Sequence, residues 1–250
     1  MQQIVQKNVP SSLALNIEAL KKINFFDDVS NAFLENLLSK ASVLHYKKNT
    51  IIFLREEEAK NFYFVKRGWV KLFKETLDGT EAVIDVVSSN TIFGEQAIFS
   101  DMQYTYSAEV VDDAEIYSIP LSFLKNEIDS NIKFAHSFIK NMAKVQRIKE
   151  LEIEHKSIQN VPQRIGCFIL RLCKEGQQTN VTINLPYDKN LLAARLGIQP
   201  ETFSRGLSKL REESGVEIKG SSVFIKNINQ LTGYCCSACS NNFPCEDIKK

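Results

Sequence analysis

The stretch Leu192-Ala193-Ala194-Arg195-Leu196-Gly197-Ile198-Gln199-Pro200-Glu201-Thr202-Phe203-Ser204-Arg205 decides the architecture. Two helical runs meet at Gly197, whose missing Cβ permits the left-handed backbone of a tight turn. Asp188 is placed to cap the first run. Gln199-Pro200 opens the second, with Pro200 in the first turn, where a missing N–H costs nothing. In the second run, which continues to Arg211, Phe203, Leu207 and Leu210 share a face and are expected to pack inward. Gln199, Glu201, Thr202, Ser204, Arg205, Ser208 and Lys209 lie off that face. Such a helix fits a DNA major groove. Arg205 can grip a guanine with two hydrogen bonds, Glu201 can accept from a cytosine amino group, and Ser204 can donate, accept or touch a thymine methyl. Lys209 and Arg211 suit phosphates. The other reading of the same pattern is a partner-binding helical pair whose polar face is merely solvated.

Working outward, Val216 to Ile225 alternates on either side of Lys219-Gly220-Ser221-Ser222 and predicts a hairpin. Helix, helix, hairpin is the layout of a winged helix-turn-helix. A helix over Ile165 to Glu175 and a short strand over Thr182 to Leu185 precede it, and Asn160-Val161-Pro162 marks the junction before them. Residues 160–233 carry 10 Lys and Arg against 6 Asp and Glu, a net +4, although the whole chain of 250 residues is only +1. Any attraction for nucleic acid is therefore local.

Upstream, a helical segment is expected from Ile132 to Ile158. Phe138, Met142, Val145, Ile148, Leu151, His155 and Ile158 form a drifting apolar stripe, with Lys and Glu opposite. A helix this long needs cover, and a second copy of itself is the economical partner. Phe138, Met142, Val145, Ile148 and Leu151 are thus candidate dimer residues, packing against its own domain being the alternative. From Val43 to Ile119 the signal is short β-rich runs. Arg67-Gly68, Asp78-Gly79-Thr80 and Ser89-Asn90 stand between some of them as turns. Strands without intervening helices indicate an antiparallel sandwich or roll. Two helical stretches fall within residues 13–41.

The composition is that of a chain able to bury an ordinary core, with 44% hydrophobic and 24% charged residues. No run of 18 apolar residues exists, so no membrane span is expected. Met1 to Leu20 lacks a secretion signal, and a cytoplasmic setting follows. There, six cysteines suggest metal, cluster or redox chemistry, or plain burial, before structural disulfides. No nucleophile elbow, P-loop or paired-His metal motif occurs, so no enzyme is expected.

Three motifs in order resemble the CRP/FNR superfamily of transcription regulators, over nearly the whole chain. Phe93-Gly94-Glu95-Gln96-Ala97-Ile98-Phe99 with Ser107-Ala108 is similar to the family's phosphate-binding cassette. Phe62 to Gly68 with Trp69-Val70 is similar to its roll signature. Leu192 to Ile198 with Pro200 to Arg205 is similar to its helix-turn-helix. The resemblance implies an α+β chain. An N-terminal antiparallel sensor β-roll of the cyclic-nucleotide-binding type, with N-terminal helices, covers 1–130. A dimerisation helix follows over 131–160, a winged helix-turn-helix over 161–233 and a Cys-rich tail over 234–250. It implies a homodimer on palindromic DNA, working with RNA polymerase. Glu201, Ser204 and Arg205 resemble the FNR branch, whose half-sites are near TTGA(T/C).

The cassette positions are Gly94, Glu95, Tyr106 and Ser107. Where the family's cyclic-nucleotide binders place an Arg for the cyclic phosphate, Tyr106 stands, with Thr105 and Tyr104 beside it. Burying a phosphate without a cation is costly, so no cyclic AMP binding is expected and the cassette is read as a scaffold. Haem, known elsewhere in the family, would have to use His45, His136 or His155, none in a haem motif. Cys235, Cys236, Cys239 and Cys245 crowd the C-terminus. Cys236-x2-Cys239 lets two thiolates reach one metal, with Cys245 as a third. Some FNR-type regulators carry a C-terminal cluster, so an iron–sulfur cluster is favoured. A zinc ion, a disulfide switch and an inert tail remain open, as does a regulator driven by a small ligand in the roll. Cys167 and Cys173 read as buried helix residues.

Overall fold

In the computed structural model the described residues are 17–21, 26, 29–173, 178–185, 189–220 and 222–239. The chain divides into two compact units between Met142 and Ala143, inside the long helix. The helix expected over 131–160 is therefore shared by both units.

In the first unit, helices α1 (Ile17–Lys21) and α2 (Asn31–Lys40) precede strands β1 (Ser42–Tyr46), β2 (Ile51–Phe53), β3 (Asn61–Glu75), β4 (Glu81–Ser88), β5 (Thr91–Phe93) and β6 (Ser107–Pro120). Ser30 caps α2 by accepting from the Phe33 N–H at 3.2 Å. The pairing is antiparallel, in the order β1-β6-β3-β4, with β2 on β6 and β5 on β3. The expected roll is present, but Arg67-Gly68 is no turn between strands. It lies inside the 15-residue β3, where the register to β6 shifts on either side. Gly68 has φ 95°, and a Cβ there would meet the Ala114 Cα at 2.6 Å. The glycine serves a bulge under a close strand crossing. The β-rich runs before and after it are one strand, as are those either side of Asp112-Asp113 in β6. Asp78-Gly79 does turn a hairpin, closed by the Thr76 N–H on the Thr80 carbonyl at 2.8 Å. Helix α3 (Leu121–Ser130) and α4 (Ile132–Ile158) follow. The core joins α2, the sheet, α3 and the start of α4, with Phe33 stacked on Phe134 at 4.7 Å.

In the second unit, α5 (Val161–Arg171) opens with a capping box. The Asn160 side chain accepts from the Gln163 N–H, and Gln163 accepts from the Asn160 N–H, each at 3.0 Å. Strand β7 (Thr179–Asn184) leads to α6 (Lys189–Arg195) and α7 (Pro200–Ser214). Strands β8 (Val216–Lys219) and β9 (Ser222–Asn227) form the hairpin, and α8 (Ile228–Cys235) closes the unit. The sheet order is β7-β9-β8, all antiparallel. Asp188 and Ser221, the expected cap and a hairpin-turn residue, lie outside the described residues. The Cys-rich tail expected from residue 234 begins inside α8, so Cys235 is part of the folded unit.

Along α4 the expected apolar stripe splits. Phe138 and Leu151 are buried, with Phe138 meeting Phe99 edge-on at 5.6 Å within the first unit. Met142, Val145 and Ile148 are half-buried. The large apolar side chains that face outward at heptad spacing are Ile132, Ile139 and Ile153, the last two each 64% exposed. The correction has a physical reason: a 3.6-residue period marks apolar positions without saying which of two surfaces covers them.

Candidate nucleic-acid interface

The two helices are set by their turn. Gly197 takes φ 63°, the Ile198 N–H reaches back to the Ala193 carbonyl at 2.9 Å, and Gln199 leads into α7 with Pro200 in its first turn. Leu192 and Ala193 are buried on α6, and Phe203, Gly206, Leu207 and Leu210 on α7. A Cβ at Gly206 would meet the Val161 Cγ1 at 2.5 Å, so glycine lets α7 lie close against α5. That packing leaves Gln199, Glu201, Thr202, Ser204, Arg205, Ser208 and Lys209 exposed. Ser204, Arg205, Ser208 and Lys209 line one shallow groove with Glu212 and Glu213. Ser204 donates its hydroxyl proton to the Pro200 carbonyl at 3.0 Å, and Ser208 donates to the Ser204 carbonyl at 3.3 Å. Both oxygens keep lone pairs for an incoming donor. Lys209 pairs loosely with Glu213 at 3.7 Å, an exposed contact that a phosphate can replace at little cost. The turn between β8 and β9 has Gly220 at φ 60°.

Sequence reading missed Arg195. In a basic helix-turn-helix it looks like a phosphate contact. Instead its Nη2 donates to the Glu152 Oε1 at 2.7 Å, and Arg171 Nη1 reaches the same oxygen at 3.3 Å. Lys149 joins from the preceding turn at 3.3 Å. Glu152 thus ties α4, α5 and α6 together within the second unit. No signal in the sequence pairs residues that far apart.

In the roll, Gly94 sits at φ 84° and its N–H donates to the Tyr106 hydroxyl at 2.8 Å. Tyr106 is buried and its ring lies 5.9 Å from that of Phe53. Phe53 also stacks on Tyr104 at 3.6 Å. Ser107 is buried and accepts from the Arg55 N–H at 3.0 Å. Glu95 is 6% exposed, its Oε2 has no hydrogen-bond partner, and burial pushes its carboxyl up to about 7. The four cassette residues are thus brought together, with an aromatic hydroxyl occupying a cassette N–H.

The cysteines separate. Cys235 is 0% exposed and lies where a Cβ on Gly166 would meet its Sγ at 2.3 Å, so it packs the crossing of α5 and α8. Burial drives its thiol pKa well upward. Cys236 and Cys239 are half-buried on either end of a 3-10 turn, closed by the Cys239 N–H on the Cys236 carbonyl at 3.1 Å. Cys239 Sγ lies 3.2 Å from the Nε2 of the buried His155. Cys245 lies outside the described residues. Among the described residues, no three His, Cys, Asp or Glu groups are arranged to hold a metal ion. Cys167 is buried, as its helix position suggested, and Cys173 is half-buried. His45 lies exposed on β1 and His136 exposed on α4.

Two families match the chain: the cyclic nucleotide-binding domain over residues 43–131 and the Crp-like helix-turn-helix domain over residues 163–234. A CRP-like cAMP-activated global transcriptional regulator of Mycobacterium tuberculosis is 22% identical, over 86% of this chain and 97% of its own length. The anaerobic regulatory protein of Bacillus subtilis is 24% identical, over 80% of this chain and 85% of its own. A solved structure from Ruegeria pomeroyi, described in terms of cyclic nucleotide binding, is 30% identical with TM-score 0.69, covering 88% of this chain and 96% of that one. The exposed polar face of α7, the roll before it and these matches agree: the chain belongs to the CRP/FNR superfamily of DNA-binding transcription regulators.

Proposed function

We propose that the protein acts in the cytoplasm as a homodimer that reads an inverted repeat with half-sites near TTGA(T/C), and that its C-terminal cysteines set its grip on DNA. The observation that carries the DNA reading is the exposure of Glu201, Ser204 and Arg205 together on a helix whose opposite face is packed. The spacing of Ile139 and Ile153 on α4 supports self-association, since outward isoleucines two heptads apart suit a second copy of the same helix. Two-fold symmetry then asks for a palindrome.

Cys236 and Cys239 are the described thiols suited to hold an iron–sulfur cluster: both are half-buried and a single turn brings them together. Cys235 does not suit it, being committed to helix packing. Cys245 is the further donor the sequence offers. A cluster bound there supplies a centre labile to oxygen and nitric oxide. The likeness to a relative named an anaerobic regulatory protein supports an oxygen-linked signal. Cyclic AMP is not the expected effector, because Tyr106 stands where the cation is needed and its hydroxyl already takes the Gly94 N–H.

The test is a gel-shift titration against an FNR-like palindrome with protein held anaerobically, in air and with nitric oxide, paired with an iron assay and a visible spectrum. Gas-dependent binding by an iron-containing protein is expected. Binding that ignores the palindrome defeats the DNA reading. Colourless, iron-free protein from anaerobic cells defeats the cluster.

A further inference from the structure

The buried imidazole of His155 sits between the tail and the helix-turn-helix. Its two nitrogens face different partners. Arg171 Nη2 lies 3.1 Å from Nδ1, and Cys167 Sγ lies 3.7 Å from the same nitrogen. Cys239 Sγ lies 3.2 Å from Nε2. A guanidinium has only donors. Nδ1 facing it must therefore be the acceptor, and the ring proton must sit on Nε2. Burial raises the Cys167 pKa, keeping a thiol that can donate weakly to Nδ1.

We propose that His155 is the hydrogen-bond donor to the Cys239 sulfur, held in one tautomer by Arg171, and that Glu152 carries the state of that sulfur to Arg195 in α6. The contacts are continuous: Cys239 to His155, His155 to Arg171, Arg171 to the Glu152 Oε1 at 3.3 Å, and that oxygen to Arg195 at 2.7 Å. A Cys239 thiol that gives up its proton to bind a metal ion, or that joins a second thiol in a disulfide while molecular oxygen takes the two electrons and two protons as hydrogen peroxide, changes what it asks of Nε2–H. The imidazole then moves or turns, and Arg171 must share its donors differently between the ring and Glu152. This relay rests on the C-terminal cysteines being the sensing element. His155 is a positioning residue in it, touching neither DNA nor an effector.

Two measurements on the full-length chain test it. The first is nitrogen-15 NMR of reduced, metal-free protein labelled at histidine. Only three imidazoles contribute, and His155→Gln identifies the third. A pyridine-type Nδ1 with a pyrrole-type Nε2 is expected at neutral pH. The opposite tautomer overturns the bond to sulfur, and a doubly protonated ring overturns the hold of Arg171 on Nδ1. The second is the change in DNA affinity on exposure to air or nitric oxide, about tenfold for the unaltered chain, within the usual range for coupled sites. His155→Gln keeps an N–H near the Nε2 position and is expected to keep the response. His155→Leu is expected to bind DNA normally when reduced and to lose the response. A fully responsive His155→Leu overturns the relay while leaving cysteine sensing intact. An unaltered chain indifferent to gas defeats cysteine sensing and the relay with it, while the NMR spectrum still decides the bond.

Discussion

Gly166→Ala, alone and with Cys235→Ala, probes the helix crossing that removes one cysteine from the candidate metal ligands. Gly166 lies within α5, where replacing glycine by alanine gains about 1 kcal/mol of helix propensity. The tertiary structure opposes that gain. The new Cβ would meet Cys235 Sγ at 2.3 Å, Leu210 Cδ1 at 3.1 Å and Leu231 Cδ1 at 3.2 Å. All three partners are buried, so none can swing into water. Overfilling such a site costs about 1–3 kcal/mol, rising with how little the neighbours can yield. A sulfur more than about 1 Å inside contact distance lies towards the upper end. Net destabilisation of about 1–2 kcal/mol is expected. In the double variant the alanine methyl occupies the space the sulfur vacates. The two changes should then fail to add, with a coupling of about 1–3 kcal/mol. Urea unfolding of the reduced chain followed by circular dichroism reads each midpoint and slope. Additivity within about 0.5 kcal/mol, or a stabilised Gly166→Ala, would show that Cys235 does not lie at this crossing and return it to the pool of metal ligands.

Arg205→Ala should weaken specific binding about 10- to 100-fold, the cost of one bidentate base contact, and leave a salt-sensitive background; an unchanged footprint rejects its role. Ile153→Glu should convert the proposed homodimer to monomer in sedimentation equilibrium without loss of helix content, because the side chain is 64% exposed in a single chain. Glu95 is expected to lower stability at neutral pH. Its folded carboxyl sits at about 7 against an ordinary 4.5, so the folded chain holds the extra proton between those values. Stability should therefore fall as pH rises through that window, by about 3 kcal/mol at most, and level off above it. Urea midpoints for Glu95→Gln at about pH 5 and about pH 8 should differ less than those of the unaltered chain; an equal difference refutes the assignment.

The helix-turn-helix was legible because local rules decide it. Gly197 has few reasons to stand between two helical runs other than its φ of 63°, and Pro200 suits a first turn. The apolar positions Phe203, Leu207 and Leu210 fixed which face of α7 is inward, and so left Glu201, Ser204 and Arg205 outside. The limits of α4 were also read correctly, since a long 3.6-residue period is strong evidence. Strand joins were not. Gly68 looks like a turn in sequence, and only the approach of Ala114 from another strand shows that it relieves a crossing.

The sequence by itself determined the order of elements, the reading face of α7, the missing cation at Tyr106 and the crowding of thiols near the C-terminus. Each is a matter of neighbours within a few residues. The tertiary structure decided which surface covers Phe138, which cysteine is packing, and which partner holds Arg195. Those depend on groups far apart in the chain meeting in space, such as Phe138 with Phe99, Arg195 with Glu152 and Cys235 with Gly166. A chain folds by burying apolar area with little regard to sequence distance, so the pairs formed on the way cannot be read from either partner's surroundings in the sequence.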